Sequence, residues 1–448
     1  MQTSSFFWRP ELKKIMAIAL PIIVAQLVQV GMGVIDTVMA GRIGSLALAA
    51  IALGAGIWMF AMLVGIGIML SLPPTISQHI GAENHPLIRE ELRQGLWLAL
   101  LVSVFILLIT ALIAFCMPLL GVEPEIIPEV RRYLLWVGWS LPFSILYMVP
   151  RAFNESFSNT MPMLWIWLFL LPLNAFGNYL FMFGNWGFPA MGAAGAGLAS
   201  GISQTLGFIL LAVYTLKAKR YQQYDLARRM TGPDWLHIKQ LFLLGLPICI
   251  SLSMESGMFT VSTLLMGRFG VDIVAGHQIA LNIASLTFMV PLGIAQALTV
   301  QVGHSIGRKD MLQARKRGLL GVTVCGGFMF CSGLSLWLFG DFFAGLYTPD
   351  QQVVAIAAQL MLFAALFQFF DGLQIGASGA LRGYKDTKIP MYLTTISYWV
   401  VGLPVGVLLG IYYGWGGSGL WLGLVCGLFA AAVLLNGRFD RLSRQSLA

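Results

Sequence analysis

The sequence predicts an all-α integral membrane protein with twelve transmembrane helices, arranged as two six-helix bundles related by a pseudo-two-fold axis along the membrane normal. Three observations lead to this fold class. The composition is too apolar for a surface that faces water, a dozen apolar runs are long enough to span a bilayer, and the first half of the chain is repeated in the second half.

The composition is that of a chain whose surface faces lipid. Of 448 residues, 58% are hydrophobic and only 10% are charged, whereas soluble proteins carry roughly 25% charged residues. The net charge of +8 does not indicate nucleic-acid binding, because the basic residues lie in short loops between apolar runs. The five cysteines lie in apolar stretches without a CxxC pair, so we expect neither disulfides nor a zinc site.

Twelve apolar runs account for the predicted helices, since a membrane-spanning helix needs about 20 mostly apolar residues. The runs cover residues 15–41, 46–78, 95–120, 133–153, 161–184, 190–216, 240–267, 272–303, 318–340, 353–381, 389–412 and 418–437. If both termini and every second loop face the cytoplasm, that side carries 23 Lys and Arg residues and the opposite side carries 4. Cytoplasmic loops have such an excess, so both termini are predicted to be cytoplasmic.

An internal repeat divides the chain into halves. Ala-Leu-Pro-Ile at 19–22 returns as Gly-Leu-Pro-Ile at 245–248, an offset of 226 that other matches share. Each half holds six predicted spans, so the two halves have the same orientation and enclose a transport path along their symmetry axis. The predicted domains are an N-terminal bundle at 1–216, a cytoplasmic linker at 217–239 and a C-terminal bundle at 240–448.

Three carboxylates lie inside predicted spans, where an ionisable residue costs about 2.5–3.5 kcal/mol on insertion scales and therefore marks a functional site. They are Asp36, Glu255 and Asp371. The alternative for each is a hydrogen bond that only joins neighbouring helices. The repeat aligns Asp36 with Ser262 and Glu255 with Gln29, so the halves place their charges differently and we expect two non-equivalent sites.

A buried carboxylate either takes up a proton or stays ionised by holding Na⁺ or an organic cation. Competition between these ligands is the physical basis of antiport. Asn174 and Asn178 share one helix face, and their oxygens are candidates to complete a Na⁺ site with Asp36 or to hydrogen-bond it. The alternative is interhelical packing. Glu255 and Asp371 form the second candidate Na⁺ site.

Accessory polar residues are predicted in the eighth and eleventh spans. They are His277, Asn282 and Tyr398. His277 is a candidate proton relay, with a satisfied histidine at the membrane interface as the alternative. The 22 methionines suit a cavity that adapts to varied apolar cations, although most of them are expected to be core or lipid contacts.

Several motifs together identify a family resemblance. They are Leu20-Pro21, Gly33-Val34-Ile35-Asp36-Thr37-Val38-Met39-Ala40-Gly41, Ala275-Gly276-His277-Gln278-Ile279-Ala280-Leu281-Asn282, Gly379-Ala380-Leu381-Arg382-Gly383-Tyr384-Lys385-Asp386, the pair Asn174 and Asn178, and Tyr398-Trp399. Over nearly its whole length the chain resembles the multidrug and toxic compound extrusion (MATE) family, in its NorM-like bacterial branch.

The resemblance implies two six-helix bundles around a V-shaped cleft that opens alternately to each side of the bacterial inner membrane. It implies export of cationic, amphipathic drugs and dyes in exchange for Na⁺ or H⁺, with no other cofactor. Asp36, Glu255 and Asp371 fall on family carboxylate positions linked to coupling or transport. Phe367 stands where this branch commonly has Tyr, so a hydroxyl ligand is missing and the coupling ion stays open between Na⁺ and H⁺.

Other classes are less consistent with the sequence. A lipid-linked oligosaccharide flippase, the main alternative, needs cations in its central cavity, and the central charges of this chain are all negative. Another two-half carrier, of the major-facilitator type, would show an Asp-Arg-x-Gly-Arg loop, which is missing. A channel or receptor stays open. The sequence contains no nucleophile–base or HExxH arrangement that would indicate an enzyme. It contains no Walker A loop, so we do not expect transport driven by ATP. Because one chain supplies both halves of the transport path, we expect a monomer.

Overall fold

A computed structural model describes residues 4–120, 122–226 and 231–447, with side chains from residue 9 onward except that of Leu120. Its first eight α-helices are α1 (Ser4–Ile43), α2 (Ser45–Met69), α3 (Leu72–Gly81), α4 (His85–Cys116), α5 (Ile127–Gly138), α6 (Leu141–Ser156), α7 (Met161–Phe181) and α8 (Ala193–Lys217). The other seven are α9 (Trp235–Met266), α10 (Val271–Gly307), α11 (Met311–Gly345), α12 (Gln351–Gly383), α13 (Lys388–Thr395), α14 (Leu403–Val407) and α15 (Gly416–Gln445).

These helices form twelve spans, within the described ranges, that are long and apolar enough to cross a membrane. Each of the twelve predicted runs overlaps one of them, and the runs 95–120, 161–184 and 190–216 extend beyond it by one to three residues. The second span combines α2 with α3, the fourth combines α5 with α6, and the eleventh contains α13 and α14. The fold class predicted from the sequence is therefore confirmed as an all-helical, multi-pass membrane protein.

The eleventh span is irregular, because π-helical turns at Ile396–Gly402 and Leu408–Tyr412 flank the short α14. Such turns widen a helix by one residue and occur frequently at functional sites. Here the first turn directs Tyr398 into the interior and brings Trp399 Nε1 within 3.1 Å of the Met254 carbonyl oxygen, to which it donates. The eleventh span is thereby fixed against α9 next to Glu255.

The chain forms two compact units. One consists of Val24–Cys249, and the other combines Met1–Ile23 with Ile250–Ala448. Helices α1 and α9 each belong to both units, and each passes from one to the other two residues after an internal proline, Pro21 or Pro247. The predicted domain limits stay predictions, and residues 227–230 of the predicted linker lie outside the described residues.

Apolar side chains fill each unit separately. In the unit Val24–Cys249, a large cluster packs around Leu72, Ile76 and Phe153, and a smaller one packs around Val130 and Tyr133. Close packing of such side chains stabilises the association of spanning helices through dispersion contacts.

In the other unit the apolar core surrounds Met361, Trp421 and Leu428. Helix α15 also approaches α14 with almost no space between the backbones, since a Cβ atom on Gly423 would overlap the Cα and nitrogen atoms of Gly406. Small residues allow this close approach between spanning helices. The result holds the eleventh and twelfth spans together beside the site residue Tyr398.

Candidate functional site

Asp36 lies at the centre of a hydrogen-bonded group in the unit Val24–Cys249. The Asn178 side-chain amide donates to Asp36 Oδ1 over 2.6 Å, and the Ser200 hydroxyl donates to Asp36 Oδ2 over 2.9 Å. Asn174 donates to the Ser200 hydroxyl over 3.2 Å. Both asparagines are therefore connected to Asp36, one directly and the other through Ser200, as their predicted association with it requires.

The side-chain oxygens of Asn174 and Asn178 are buried and have no hydrogen-bond partner among the described residues. An unsatisfied buried acceptor costs about 1–3 kcal/mol, so such atoms require a further ligand or a rearrangement. A cation beside Asp36 would satisfy these oxygens, since hard cations prefer carboxylate and carbonyl oxygens. The donor set thus fits the predicted Na⁺ site.

Ser200 was missed by the sequence analysis, although it touches Asp36 directly. Its position depends on a close approach of α7 to α8: a Cβ atom added to Gly177 would lie 3.0 Å from the Ala199 Cβ. This contact brings Ser200 within reach of both Asn174 and Asp36. The small residues that begin α8 were a signal of close packing, but they did not indicate which hydroxyl would face the carboxylate.

A cavity of about 370 Å³ opens beside Asp36. Ligand sites typically measure about 300–1,000 Å³ and combine apolar walls with a few polar groups. Its walls include Met32, Met59, Met62, Trp58, Tyr147 and Trp167. The Trp167 indole donates to the Tyr147 hydroxyl over 2.7 Å, which fixes the two rings edge to face. The cavity therefore offers one acidic group within a wall of sulfur atoms and aromatic faces.

Arg151 also lines this cavity, contrary to the expectation that the charges inside the bundles are all negative. It lies within α6, and its Nε donates to Glu155 over 2.7 Å. Arg151 is one of the 23 basic residues that the sequence pattern assigns to the cytoplasmic side, where it was expected in a loop. The spacing of four residues between Arg151 and Glu155 was the available signal for a paired, helical arginine.

The second pair of carboxylates lies in the other unit, where Glu255 and Asp371 line one cavity of about 180 Å³. Asp371 is only 4% exposed, and its Oδ1 atom has no hydrogen-bond partner among the described residues. Phe259, Phe288 and Phe367 provide aromatic walls. The two acids predicted to form a second site are thus brought together from α9 and α12, in a cavity half the size of the first.

Tyr398 is fully buried and lies within electrostatic range of Glu255 and Asp371. The Gln374 side chain lies beside its hydroxyl. Phe367, at the position where the resembled branch has Tyr, packs edge to face against Phe259, with ring centroids 5.7 Å apart. Tyr398 is therefore a hydroxyl group near the acidic pair, whereas Phe367 contributes only a ring.

The structure places His277 and Asn282 outside both cavities. The Trp421 indole donates to His277 Nδ1 over 3.1 Å, and His277 Nε2 lies 3.0 Å from the Thr263 hydroxyl. Both ring nitrogens are thus engaged, which favours the structural alternative for His277 over a proton relay. Asn282 is exposed and accepts a hydrogen bond from the Tyr347 hydroxyl over 3.0 Å.

Within the described ranges, no group of three or more His, Cys, Asp or Glu side chains is arranged to hold a metal ion. The two acidic cavities are thus sites with one or two carboxylates each. Such sites suit ions and ligands that bind reversibly, because fewer charged ligands give weaker binding.

Comparison with known families and proteins agrees with this architecture. The MatE family model matches residues 21–180 and 247–408, two segments whose starts differ by the repeat offset of 226. The "Probable multidrug resistance protein NorM" of Idiomarina loihiensis is 40% identical over 439 residues, which are 97% of this chain and 95% of the relative. The "Multidrug resistance protein NorM" of Aliivibrio fischeri is 36% identical over 98% of this chain and 96% of its own length.

Solved structures have the same fold. The Vibrio cholerae MATE transporter VcmN, in its bent form, superimposes with a TM-score of 0.86 at 18% sequence identity, and the match covers 98% of each chain. The arrangement of helices described above is therefore shared with a protein that differs at most positions.

Proposed function

We propose that this chain, which belongs to the MatE family, is a multidrug efflux antiporter that exports cationic, amphipathic small molecules in exchange for Na⁺ or H⁺ by alternating access. Family membership makes the protein a NorM-like membrane transporter rather than an enzyme. The observation that carries the proposal is that each compact unit contains its own cavity lined by a buried carboxylate.

The larger cavity, beside Asp36, has the chemistry that an amphipathic cation requires. Asp36 supplies the counter-charge, and Trp58 and Trp167 offer ring faces that attract cations. The flexible methionines of the wall adapt to apolar groups of different shapes. A site of this kind discriminates by charge and hydrophobicity more than by shape, which is the requirement for export of many drugs and dyes.

The smaller cavity suits the coupling ion. Glu255 and Asp371 supply two acidic groups in a space of about 180 Å³, which leaves little room for an organic molecule beside the three phenylalanines. Na⁺ would take oxygen ligands from the acids, whereas a proton would neutralise one of them. Asp36 with Asn174 and Asn178 is the other candidate ion site.

Exchange follows from competition for negative charge. An ionised carboxylate inside a membrane protein is costly unless a cation is bound or a proton is taken up. Ion binding on one side of the membrane therefore favours release of the cationic drug, and drug binding on the other side favours release of the ion. By thermodynamic linkage the two effects have equal magnitude.

Arg151 favours one alternative, a carrier for acidic ligands such as a lipid-linked oligosaccharide. Its guanidinium lines the Asp36 cavity, but Glu155 is within 2.7 Å and neutralises the local charge. Asp36 has no such cationic partner among the ion pairs of the described residues. The cavity as a whole is therefore acidic, and cation export is the better supported function.

The test is dye efflux from proteoliposomes that contain the purified protein, first under an imposed Na⁺ gradient and then under a pH gradient. We expect one of the two gradients to drive efflux of a cationic dye, and the Asp36→Asn variant to respond to neither. Efflux that requires no gradient, or that neither gradient drives, would exclude the antiporter. We further propose that the protein is monomeric, lies in the bacterial inner membrane and has both termini in the cytoplasm.

A further inference from the structure

A buried cluster of titratable groups in the unit Val24–Cys249 is separate from the residues that line either carboxylate cavity. Glu91 on α4 is 3% exposed, and its Oε1 atom lies 3.1 Å from His237 Nε2 on α9 and 3.3 Å from His79 Nε2 on α3. Its Oε2 atom has no hydrogen-bond partner among the described residues. Two histidines thus provide the compensation for a buried acid. We call His79, Glu91 and His237 the histidine cluster.

The other unit contains a second buried ion pair. Arg317 on α11 donates from Nε to Glu11 on α1 over 2.7 Å, and both residues are 3% exposed. Arg317 also donates to the Gln301 carbonyl oxygen and to the Ser305 hydroxyl on α10. We call Glu11, Arg317 and Ser305 the arginine cluster.

The repeat offset of 226 relates the two clusters residue by residue. Glu11 corresponds to His237, Glu91 corresponds to Arg317, and His79 corresponds to Ser305. The arginine cluster joins the start of α1 to α11, and the histidine cluster joins the start of α9 to α4. The repeat makes α1 equivalent to α9 and α11 equivalent to α4. The position of the acid and the base is exchanged between the clusters, so the ion pair is retained while its polarity is reversed.

This reversal gives the two clusters different responses to pH. The guanidinium of Arg317 is charged at all physiological pH values, whereas imidazole changes charge near neutrality. We propose that the histidine cluster is a proton-binding site that holds the start of α9 when His237 is protonated and releases it when His237 is neutral. The arginine cluster holds the start of α1 at all pH values in this range.

The sign follows from the charges that face the cluster. Acidic groups predominate: Glu91 contacts both histidines, and Asp234 and Glu90 also act on His237. Arg93, on the same helix as Glu91, lies with its guanidinium 3.8 Å from Glu90. While His237 is protonated, its imidazolium compensates the buried Glu91. Once His237 is neutral, that compensation is lost, and an uncompensated buried charge is strongly destabilising.

The cluster lies on the same helix as one acid of the proposed coupling site. His237 precedes Glu255 by eighteen residues on α9. Likewise Glu11 precedes Asp36 on α1. Each cluster therefore fixes the start of a helix that carries a carboxylate proposed to act in transport. This consequence for transport rests on the proposed function, whereas the proton dependence of the helix start does not.

Hydrogen–deuterium exchange on the purified full-length protein tests the proposal. After correction for the intrinsic rate, amides of residues 238–246 on α9 should exchange about tenfold faster at about pH 8 than at about pH 6, because His237 becomes neutral. The start of α1 serves as the internal control and should show no change. Equal responses at the two helix starts would overturn the proposal.

Two variants identify the groups responsible. In the double variant His79→Gln/His237→Arg, the base no longer titrates, so the start of α9 should stay protected at both pH values. Glu11→Gln is the matched control in the arginine cluster and should speed exchange in α1 equally at both. A double variant that keeps the wild-type pH response would contradict the assignment. If that variant does not fold, the comparison of α1 with α9 in the wild type still decides the question.

A transport measurement separates this proposal from the proposed function. With the same pH inside and outside the proteoliposomes, Na⁺-driven dye efflux of the wild type should rise at least about threefold from about pH 6 to about pH 8 relative to the double variant. Equal pH profiles of the wild type and the double variant would overturn the connection to transport. If neither a Na⁺ gradient nor a pH gradient drives efflux in either protein, the antiporter is contradicted and the exchange result is unaffected.

Discussion

Asn178 donates a hydrogen bond of 2.6 Å to Asp36 although the two residues are 142 positions apart in the chain. The contact joins α7 to α1 beside the larger cavity. With Ser200 as a second donor to the carboxylate, Asp36 is held in one position by two different helices. This arrangement makes the consequences of substitution at Asp36 and around it specific enough to test.

Replacement of Asp36 by Asn should abolish dye efflux and drug resistance while leaving expression intact. Asparagine has nearly the same shape, but it carries no negative charge to exchange between cation and ion. Efflux should fall at least about tenfold, measured in proteoliposomes and corrected for the amount of protein. Full residual efflux in Asp36→Asn would remove Asp36 from its assigned role.

Replacement of Ser200 by Ala should weaken the apparent affinity for the coupling ion without abolishing transport. The substitution removes a hydrogen bond to a charged group, worth about 1.5–3 kcal/mol, and disconnects Asn174 from Asp36. We expect the ion concentration for half-maximal efflux to rise about tenfold or more.

Ser203→Ala is the matched control on the same helix, since the Ser203 hydroxyl bonds only to the Ala199 carbonyl oxygen in its own helix. It should leave the half-maximal ion concentration unchanged. Equal effects of Ser200→Ala and Ser203→Ala would mean that Ser200 acts through general stability rather than through Asp36.

Replacement of Glu255 by Gln or of Asp371 by Asn should weaken coupling or substrate export. Each variant removes one of the two acids that line the smaller cavity. The measurement is the ratio of efflux with and without the driving ion gradient, which should fall towards one. Unchanged transport in both variants would eliminate the second site.

Replacement of Phe367 by Tyr should strengthen the response to Na⁺. The ring of Phe367 lines the cavity with Glu255 and Asp371, so a hydroxyl there would add an oxygen ligand. The Na⁺ concentration for half-maximal efflux should fall. An unchanged or higher value, in a variant with wild-type thermal stability, would show that a hydroxyl at this position does not reach the ion.

Replacement of Gly423 by Ala should lower the unfolding temperature, because the added Cβ would overlap the backbone of Gly406. Overpacking of this kind costs about 1–3 kcal/mol. Gly437→Ala is the control on the same helix, where no atom lies within 4 Å of the added Cβ. Equal unfolding temperatures of these two variants would show that the α14–α15 contact yields at no cost.

Some of the site could be predicted because its signals are local. Asp36, Glu255 and Asp371 are recognisable as exceptions within apolar runs, and Asn174 and Asn178 as polar residues on one helix face. Ser200 gave no such signal, since a serine in a spanning helix usually bonds to its own backbone, as Ser203 does. Only the packing of α7 on α8 distinguishes the two serines.

Several charged residues near helix ends could not be placed from the sequence. The sequence assigned Arg151 to a loop, because basic residues near the end of an apolar run usually lie at the membrane surface. The position of Arg151 within α6 and its pairing with Glu155 allow its charge to stay inside. Likewise, Arg317 and Glu91 are charged residues near helix ends, and nothing local indicates that they are buried and paired.

The sequence by itself determined the fold class, the twelve spans and the two-fold repeat, because the transfer of apolar residues to lipid and the periodicity of charges are local, additive properties. It also indicated which carboxylates lie inside apolar spans, where an ionised group is costly. The tertiary structure alone decided which groups face them: the two donors to Asp36, the shared cavity of Glu255 and Asp371, and the exchanged polarity of the histidine and arginine clusters. Those contacts join residues far apart in the chain, and their existence depends on helix approach distances that no local pattern encodes.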